Sequence, residues 1–381
     1  MPQDFVQPHL YEQQLAEKIA LFKARLNEPE LNTLIKGTNG RSFNEVLDGM
    51  DIATSPKTHY RQRAEFKVWH EGEQSHYAMS DPVTKKPIFI DSFPVASEKI
   101  NALMPPIMAA VNQDPILRKK LFQIEFLSTL SGDTLVTFIY HRPLNEQWEL
   151  AANTLKKQLG IHIIGRSRKQ KVLLNQDFVE ETLSVNGTPF HYQQIEGSFT
   201  QPNGAVCEKM LAWAVDQTQG ATGDLIELYC GNGNFTLPLA QNYRRVLATE
   251  ISKTSVKSAQ VNIAKNGTKN VDILRLSSEE FVQALDKVRD FRRLKDIDLE
   301  SYEFSSIFVD PPRAGLDSAT ESMVKRFETI IYISCNPETL CQNLWSLCQT
   351  HEIQSIAAFD QFPYTHHLET GVILKAKSSA E

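Results

Sequence analysis

Long apolar runs are missing from this chain of 381 residues, and cysteine is scarce, with five in all. No stretch approaches the roughly 20 apolar residues that a bilayer-spanning helix requires. The N-terminal segment mixes acidic and basic side chains with apolar ones, unlike a secretory signal. The cysteines are odd in number and show no CxxC pair, which argues against a disulfide scaffold and against a zinc or iron–sulfur site. We therefore expect a cytoplasmic protein with reduced thiols and no membrane segment.

A basic excess is also missing, since the formal net charge is −6. Acidic residues are concentrated after residue 180, whereas the first 180 residues are close to neutral and contain two basic clusters. The first cluster is Lys57, Arg61, Arg63 and Lys67, and the second is Arg166, Arg168, Lys169 and Lys171. A surface that contacts phosphates needs such clusters, although each one taken alone is equally compatible with an ordinary solvated surface.

The length favours two domains, and the hydrophobic pattern changes along the chain. Alternating polar and apolar segments between residues 60 and 140 indicate antiparallel strands with one solvated face, so we predict an α+β domain over residues 1–185, not necessarily continuous. From residue 224 onward, apolar runs alternate with amphipathic stretches, which predicts an α/β domain over residues 186–381. Its seven predicted strands are 225–229, 245–250, 271–275, 306–310, 330–334, 353–360 and 370–375.

The connection between the sixth and seventh predicted strands is too short for a crossover helix. The seventh strand should therefore run antiparallel to the sixth. A mainly parallel sheet that ends in a reversed edge strand is typical of class I S-adenosylmethionine-dependent methyltransferases, which have a Rossmann-like sheet, rather than of dehydrogenases.

A glycine-rich turn follows the first predicted strand, where Gly231 and Gly233 allow the backbone to turn tightly and approach a ligand. The third glycine of a dinucleotide-binding motif would fall at Thr236, which disfavours a nicotinamide-dependent oxidoreductase. Glu250 ends the second strand, where an acidic side chain can accept hydrogen bonds from ribose hydroxyls.

Three further residues lie at the ends of predicted strands. Asp310 closes the fourth strand before two prolines, Cys335 closes the fifth before Asn336 and Pro337, and Glu369 opens the reversed seventh. These positions share one edge of the sheet with the glycine turn, and open α/β sheets bind ligands at that edge.

A thiol, a base and a methyl donor are the groups that methylation of uracil at C5 requires. Thiolate addition at C6 makes C5 nucleophilic, and a base must remove the C5 proton before the thiolate leaves. Cys335 fits the first role and Glu369 the second. The other cysteines are expected to pack in the interior, and His366 and His367 to line the substrate entrance rather than to bind a metal.

Several stretches resemble the RNA 5-methyluridine methyltransferases, most closely the bacterial tRNA (uracil-5-)-methyltransferases that make ribothymidine at position 54 of the T-loop. The resemblance covers nearly the whole chain and is carried by residues 60–66, 89–94, 198–203, 228–235, 310–313, 332–339 and 360–369. The motif around Cys335 and the one ending at Glu369 are highly specific, whereas the glycine turn is not.

The resemblance implies a substrate, a cofactor and residue roles. S-adenosyl-L-methionine is expected as methyl donor, without a metal or an iron–sulfur cluster, and its implied binding residues are Gln201, Tyr229, Asn234, Glu250 and Asp310. Cys335 is the implied nucleophile and Glu369 the implied proton acceptor. The partner is the tRNA T-arm, which the N-terminal domain would bind, and we expect a monomer with no protein partner.

Two alternatives remain open. The first is the same chemistry on ribosomal RNA, whose methyltransferases commonly carry an iron–sulfur cysteine cluster and an additional N-terminal β-barrel. The absence of cysteine before residue 207 disfavours it. The second is an RNA-binding folding factor for tRNA, which the pair of Cys335 and Glu369 disfavours.

Overall fold

The computed structural model describes residues 6–81 and 83–377 and divides into two compact units that alternate along the chain. The first unit contains Pro56–Leu183 and Gln193–Ala205, with the described residues up to Tyr11. The second contains Glu12–Ser55, Ser184–Tyr192 and the described residues from Val206 onward. The domain boundary between residues 185 and 186 stays a prediction; the structure adds that residues 12–55 pack with the second unit.

The N-terminal segment consists mainly of helices. Its elements are α1 (Tyr11–Leu26), α2 (Pro29–Asn32), α3 (Phe43–Asp48) and β1 (Asp51–Ala53). Ser42 begins α3 with a capping box, since its side chain accepts from the Glu45 backbone while the Glu45 carboxylate accepts from the Ser42 backbone. Phe22 and Leu26 of α1 are buried in the core of the second unit.

The first unit is built on a seven-stranded sheet. Its elements are β2 (Arg63–Glu71), β3 (Gln74–Ser80), β4 (Pro87–Ile90), α4 (Glu98–Gln113), α5 (Pro115–Arg118), β5 (Leu121–Ser128), β6 (Thr134–Tyr140), α6 (Glu146–Leu159), β7 (His162–Ser167) and β8 (Gln170–Leu173). The strand order is β4-β3-β2-β5-β6-β7-β8, and the β6–β7 pair is parallel. Helices α4 and α6 pack on one face, where Phe66 and Val68 of β2 are buried, while Glu65 and Lys67 lie exposed on the other.

A hairpin and a helix follow that sheet in the chain. The elements are β9 (Phe178–Val185), β10 (Thr188–Ile195) and α7 (Gly204–Gln217). Asn186 and Gly187 both have positive φ, 51° and 81°, which is the two-residue turn that matches the twist of paired strands.

The second unit has an eight-stranded sheet. Its remaining elements are β11 (Asp224–Leu228), α8 (Thr236–Leu239), β12 (Val246–Thr249), α9 (Lys253–Lys265), β13 (Val271–Leu274), α10 (Ser278–Leu285), β14 (Phe304–Val309), α11 (Ser318–Val324), β15 (Thr329–Ser334), α12 (Pro337–Leu347), β16 (His351–Phe359) and β17 (Glu369–Ala376). The order is β1-β16-β17-β15-β14-β11-β12-β13, and β17 is antiparallel to both of its neighbours. Within the described residues, no helix combines the length and apolar composition needed to cross a membrane.

The reversed last strand is confirmed, but two details of the predicted sheet were wrong. The sheet has eight strands because β1 pairs in parallel with β16, and a three-residue strand is too short to leave a periodic signal in the sequence. The reversed strand is also not at the edge: β17 lies between β15 and β16, which explains why its residues from Glu369 to Leu374 are all buried. Strand order depends on pairing between distant segments, which local patterns do not encode.

Candidate active site

Cys335 and Glu369 lie across from each other where β15 ends and β17 begins. Antiparallel pairing matches Ile333 with Gly371 and Ser334 with Thr370, so the next step of the register places Cys335 opposite Glu369. Directly opposed residues on antiparallel strands have Cβ atoms about 5 Å apart. The Thr370 hydroxyl donates to the Ser334 carbonyl at 3.1 Å and fastens this end of the strand pair. Cys335 is half-buried and Glu369 is buried.

Asp310 follows the neighbouring strand β14 at the same edge of the sheet. Since Val309 pairs with Tyr332, Asp310 lies level with Ile333, two residues before Cys335. Burial raises the pKa of Asp310 to about 7. Burial, followed by the charge of Asp310, raises the pKa of Glu369 well above its ordinary value, and Arg313 opposes this shift. Both effects favour the protonated form of the Glu369 carboxyl in the free protein.

The pKa of the Cys335 thiol is also raised. Burial contributes most, the charges of Glu369 and Asp310 add to it, and together they raise the pKa of Cys335 to about 11. The guanidinium of Arg313 lowers it only in part. At neutral pH the resting group is a thiol, so an added positive charge would be needed to favour the thiolate.

Arg313 is tied to the loop that carries Cys335. Its carbonyl oxygen accepts hydrogen bonds from Asn336 Nδ2 at 3.1 Å and from Thr339 Oγ1 at 3.3 Å. Its guanidinium lies 3.4 Å from His367 Nε2. The sequence motif drew attention to this arginine but suggested no role for it. The structure makes it the cation whose field acts on both Cys335 and Glu369.

The glycine turn after β11 lies at the same edge and has a strained backbone. Tyr229, Gly231 and Gly233 all have positive φ, at 59°, 56° and 84°. The Gly231 N–H donates to Glu250 Oε2 at 3.0 Å, and the other carboxylate oxygen of Glu250 accepts from the Ser252 backbone at 2.7 Å. The predicted residue Glu250 thus contacts the backbone of the turn that begins at Tyr229.

Two side chains that sequence reasoning missed also hold this turn. Asn262 of α9 donates through Nδ2 to the Asn232 carbonyl at 2.9 Å, and the buried Tyr192 hydroxyl donates to the Asn234 carbonyl at 2.9 Å. The Asn234 side chain in turn lies 3.4 Å from Cys207 Sγ. No local motif marks either residue, because each is distant from the turn in the sequence.

Four buried side-chain oxygens have no hydrogen-bond partner among the described residues: Gln201 Oε1, Glu227 Oε2, Thr236 Oγ1 and Tyr243 Oη. Leaving a buried polar atom unpaired costs about 1–3 kcal/mol, which points to a ligand. Glu227 is the last residue but one of β11, and burial, with a contribution from Asp310, raises its pKa to about 8. Gln201 belongs to the first unit.

The side chains at this edge of the sheet fit S-adenosylmethionine as a ligand. Carboxyl groups of Glu227, Glu250, Asp310 and Glu369 lie along one end of the sheet, and three of them have raised pKa values. A positively charged ligand would stabilise their ionised forms. Within the described ranges, no three His, Cys, Asp or Glu residues are grouped so as to hold a metal ion. The rings of His366 and His367 lie next to each other, with centroids 4.0 Å apart and their planes tilted by 45°.

The loop that leads into Glu369 is anchored by helix α1. Lys18 Nζ lies 2.7 Å from Asp360 Oδ1 and donates to the Phe362 carbonyl at 2.8 Å. Both charged side chains are buried. Removing one member of a buried ion pair typically costs about 3–5 kcal/mol. The sequence could not reveal this anchor because its two members lie at opposite ends of the chain.

Two of the four residues of the second basic cluster are paired with acidic side chains. Arg166 forms two hydrogen bonds with Glu196, at 2.6 and 2.5 Å, and Lys171 pairs with Asp177 at 2.8 Å. Of the first cluster, Arg63 donates to the Ser198 carbonyl at 2.8 Å. Acidic residues from elsewhere in the unit thus neutralise part of the positive charge of a cluster that is purely basic in the sequence. Its contact with phosphates stays a prediction.

Comparison with known proteins agrees with this geometry. A family model described as tRNA (Uracil-5-)-methyltransferase matches residues 33–377. A tRNA/tmRNA (uracil-C(5))-methyltransferase of Saccharophagus degradans is 60% identical over 338 residues, covering 88% of this chain and 93% of the relative. The protein of the same name from Cellvibrio japonicus is 56% identical over 367 residues, covering 96% of each.

A solved structure shares the fold. It is the Pyrococcus abyssi tRNA (uracil-54, C5)-methyltransferase in complex with S-adenosyl-L-homocysteine, with a TM-score of 0.69 and 19% identity, covering 96% of this chain and 83% of that one. The predicted class I S-adenosylmethionine-dependent methyltransferase fold is confirmed. The sequence matches extend over most of the chain, and they establish the family to which it belongs. This chain belongs to the tRNA (uracil-5-)-methyltransferase family.

Proposed function

We propose that the chain methylates C5 of uridine 54 in the T-loop of tRNA, with Cys335 as nucleophile and Glu369 as proton acceptor. Membership of the family makes it an S-adenosylmethionine-dependent tRNA (uracil-5-)-methyltransferase, which disfavours the ribosomal-RNA and folding-factor alternatives. The observation that carries the mechanism is the register that places Cys335 opposite Glu369. The assignment of position 54 as the target rests on the sequence resemblance to enzymes that make ribothymidine at that position.

The reaction begins at the half-buried sulfur of Cys335. The thiol must lose its proton to solvent as sulfur bonds to C6 of uracil, because the uncharged thiol is a poor nucleophile. Arg313 favours this step, since its charge lowers the pKa of Cys335. S-adenosylmethionine, when bound, supplies the methyl group and a sulfonium charge beside the carboxyl groups. Addition at C6 turns C4 and C5 into an enolate, and C5 then accepts the methyl group.

Glu369 completes the reaction from the opposite strand. The methylated C5 still carries its hydrogen, and a carboxylate must remove it before the sulfur of Cys335 can leave and restore the C5–C6 double bond. Burial and the charge of Asp310 raise the pKa of Glu369, which makes it a stronger base once it is ionised. The proton taken from C5 then returns to solvent.

The remaining predicted residues would hold the methyl donor. Glu250 and Tyr229 lie on either side of the glycine turn, so we assign Glu250 to the ribose hydroxyls. Asp310, between the turn and Cys335, is assigned to the charged end of the donor. The unpaired Oε1 of Gln201 and the side chain of Asn234 would provide polar contacts.

We further propose that the enzyme acts as a monomer in the cytoplasm and recognises the T-arm. An isolated T-arm hairpin should therefore be methylated, because its loop contains the target and lacks the tertiary elbow that buries it. Nucleoside mass spectrometry should find one 5-methyluridine per hairpin. A matched hairpin with cytidine in place of uridine 54 should incorporate none. Incorporation at another uridine of that control would contradict the assignment of position 54.

Binding of S-adenosylmethionine should strengthen as pH rises from 6 to 8. A cation binds the ionised carboxyls best, and the pKa values of Asp310 and Glu227 are about 7 and about 8, so at lower pH protons compete with it. The affinity should change by up to about tenfold per pH unit. Calorimetry should show a flatter profile for Asp310→Asn, and for S-adenosylhomocysteine, which has no sulfonium charge. Identical profiles for the two ligands would contradict the assigned role of Asp310.

A further inference from the structure

The loop 360–368 connects β16 to β17 and lies directly beside the assigned base. Phe359, the last residue of β16, pairs with Glu369, the first residue of β17, so the loop begins and ends next to the Glu369 backbone. Hairpin loops are usually about two to five residues long, and longer ones are often functional. Tyr364, within this loop, has a φ of 62°, a conformation that persists only where surrounding contacts enforce it.

Helix α1 is joined to this loop by a line of hydrogen bonds. Lys18 Nζ donates to the Phe362 carbonyl at 2.8 Å, and the same carbonyl accepts from the Thr365 hydroxyl at 2.8 Å. Thr365 Oγ1 in turn accepts from the His367 N–H at 3.2 Å. His367 is two residues before Glu369. The line therefore runs without interruption from α1 to the end of the loop that carries the base.

A second set of contacts fixes the beginning of the loop. Asp360 accepts from Lys18 Nζ at 2.7 Å through Oδ1 and from Gln14 Nε2 at 3.3 Å through Oδ2. Gln14 Oε1 accepts from the Tyr364 N–H at 3.2 Å. The Asp360 N–H donates to the Ala53 carbonyl of β1 at 3.0 Å. Gln14 and Lys18 are one helical turn apart, so a single face of α1 contacts the loop at successive points along its length.

The ion pair at the centre of these contacts is deeply buried. Lys18 is 7% exposed and Asp360 is 0% exposed. Burial lowers the pKa of Lys18, and the charge of Asp360 opposes this shift without cancelling it. Replacing a buried ion pair with apolar residues of similar volume often leaves stability unchanged or raises it. Stability alone therefore does not explain the charges at these two positions, whereas the need to hold the loop in one place does.

We propose that Lys18 is a positioning residue for the proton-removal step, and that it holds loop 360–368 in place so that the Glu369 carboxylate faces C5 of the bound uracil. The inference rests on the assigned role of Glu369 and extends that role to the N-terminal helix. In this step the proton moves from C5 to the carboxylate, the C5–H electron pair restores the C5–C6 double bond, and the C6–S bond breaks with its pair on the sulfur of Cys335. A displaced carboxylate should slow this step more than methyl transfer, because the nucleophile and the glycine turn follow β15 and β11.

The test compares Lys18→Met with the wild type in the full-length chain. Proton removal should become about 10- to 100-fold slower, the usual effect of misplacing a catalytic group by about 1 Å. The value of kcat should fall by that factor, with little change in KM for S-adenosylmethionine. A covalent protein–RNA adduct that already carries the methyl group should accumulate during turnover. Release of tritium from tRNA labelled at C5 of uridine should lag behind transfer of labelled methyl groups, whereas a simple loss of folded enzyme would lower both signals equally.

The double variant Lys18→Met, Asp360→Leu separates positioning from stability. Lys18→Met alone leaves a buried carboxylate without its cation and should unfold several degrees below the wild type. The double variant removes both charges, so its unfolding temperature should return close to that of the wild type. The adduct should still accumulate, because neither methionine nor leucine can form the lost hydrogen bonds to the Phe362 carbonyl and to Gln14. The double variant also decides the question if Lys18→Met alone does not fold.

Arg244→Met is the matched control. Arg244 forms two hydrogen bonds with the buried carboxylate of Asp224, at 2.9 and 2.6 Å. Asp224 is the first residue of β11, at the opposite end of that strand from the glycine turn. The control therefore also removes the cation of an ion pair in the second unit, and it should also lower the unfolding temperature. It should leave kcat unchanged and produce no adduct.

A double variant with the kcat of the wild type and no adduct would overturn the inference, since the ion pair would then serve the fold alone. An adduct in Arg244→Met would overturn it as well, because accumulation would then follow from lost stability. Glu369→Gln is measured in parallel. If Glu369→Gln accumulates adduct and both Lys18 variants do not, the inference fails and the assigned base stands. If none of these variants accumulates adduct, the assignment of Glu369 is wrong and the inference falls with it.

Discussion

Replacing Cys335 with alanine should abolish methyl transfer to tRNA while leaving S-adenosylmethionine binding nearly unchanged. The alanine cannot add to C6 of uracil, so C5 stays too weak a nucleophile, and removal of a covalent nucleophile costs at least about three orders of magnitude in rate. Binding should persist because Cys335 follows β15, whereas Glu227 lies in β11 and the glycine turn follows β11. Transfer of labelled methyl groups and calorimetry would measure the two properties separately.

Cys341 offers a matched control for this experiment. It is a partly buried cysteine on α12, only a few residues from Cys335, and it lies in the packing of the second unit rather than at the strand ends. Cys341→Ala should therefore keep its rate within a small factor of the wild type. Turnover by Cys335→Ala within tenfold of the wild type would contradict the assignment of the nucleophile.

Replacing Glu369 with glutamine should trap the enzyme on its substrate. Cys335 can still add and the methyl group can still transfer, but an amide cannot accept the C5 proton, so the sulfur cannot leave. A covalent protein–RNA adduct should accumulate and migrate slowly on a denaturing gel. The substitution should be tolerated by the fold, because burial favours the uncharged form of this carboxyl and glutamine is its uncharged isostere.

The double variant Cys335→Ala, Glu369→Gln is the control for the adduct. It should give no slow band, which would show that the band depends on the sulfur of Cys335. Normal product release by Glu369→Gln, without an adduct, would mean that another group takes the proton. Asp310 would then be the first alternative, because it lies at the same edge and its pKa is about 7.

The stability of the free protein should depend on pH because of its buried carboxyl groups. Asp310 and Glu227 have folded-state pKa values above those of the unfolded chain, so folding is favoured at pH values where these groups keep their protons. The stability of the free protein should therefore fall as pH rises from about 4 towards 8. Ligand binding should counteract that loss, because a cation stabilises the ionised carboxyls.

Much of the second unit could be predicted from local patterns. The positions of β11, β12, β14 and β15 follow from short apolar runs, and the reversed last strand follows from the length of a single connection. The turn at Gly231 and the proline after Cys335 are local as well, because backbone geometry is decided by neighbouring residues. The sequence alone therefore determined that a thiol and an acid stand at the ends of strands in an α/β sheet.

Only the tertiary structure decided what surrounds those residues. The insertion of β17 between β15 and β16 sets Cys335 opposite Glu369, and the same packing raises the pKa values of both. Lys18 and Asp360 meet from opposite ends of the chain, and Glu196 neutralises Arg166. Strand order, burial and charge pairing arise from contacts between residues far apart in the sequence, and no local pattern records which of those contacts will form.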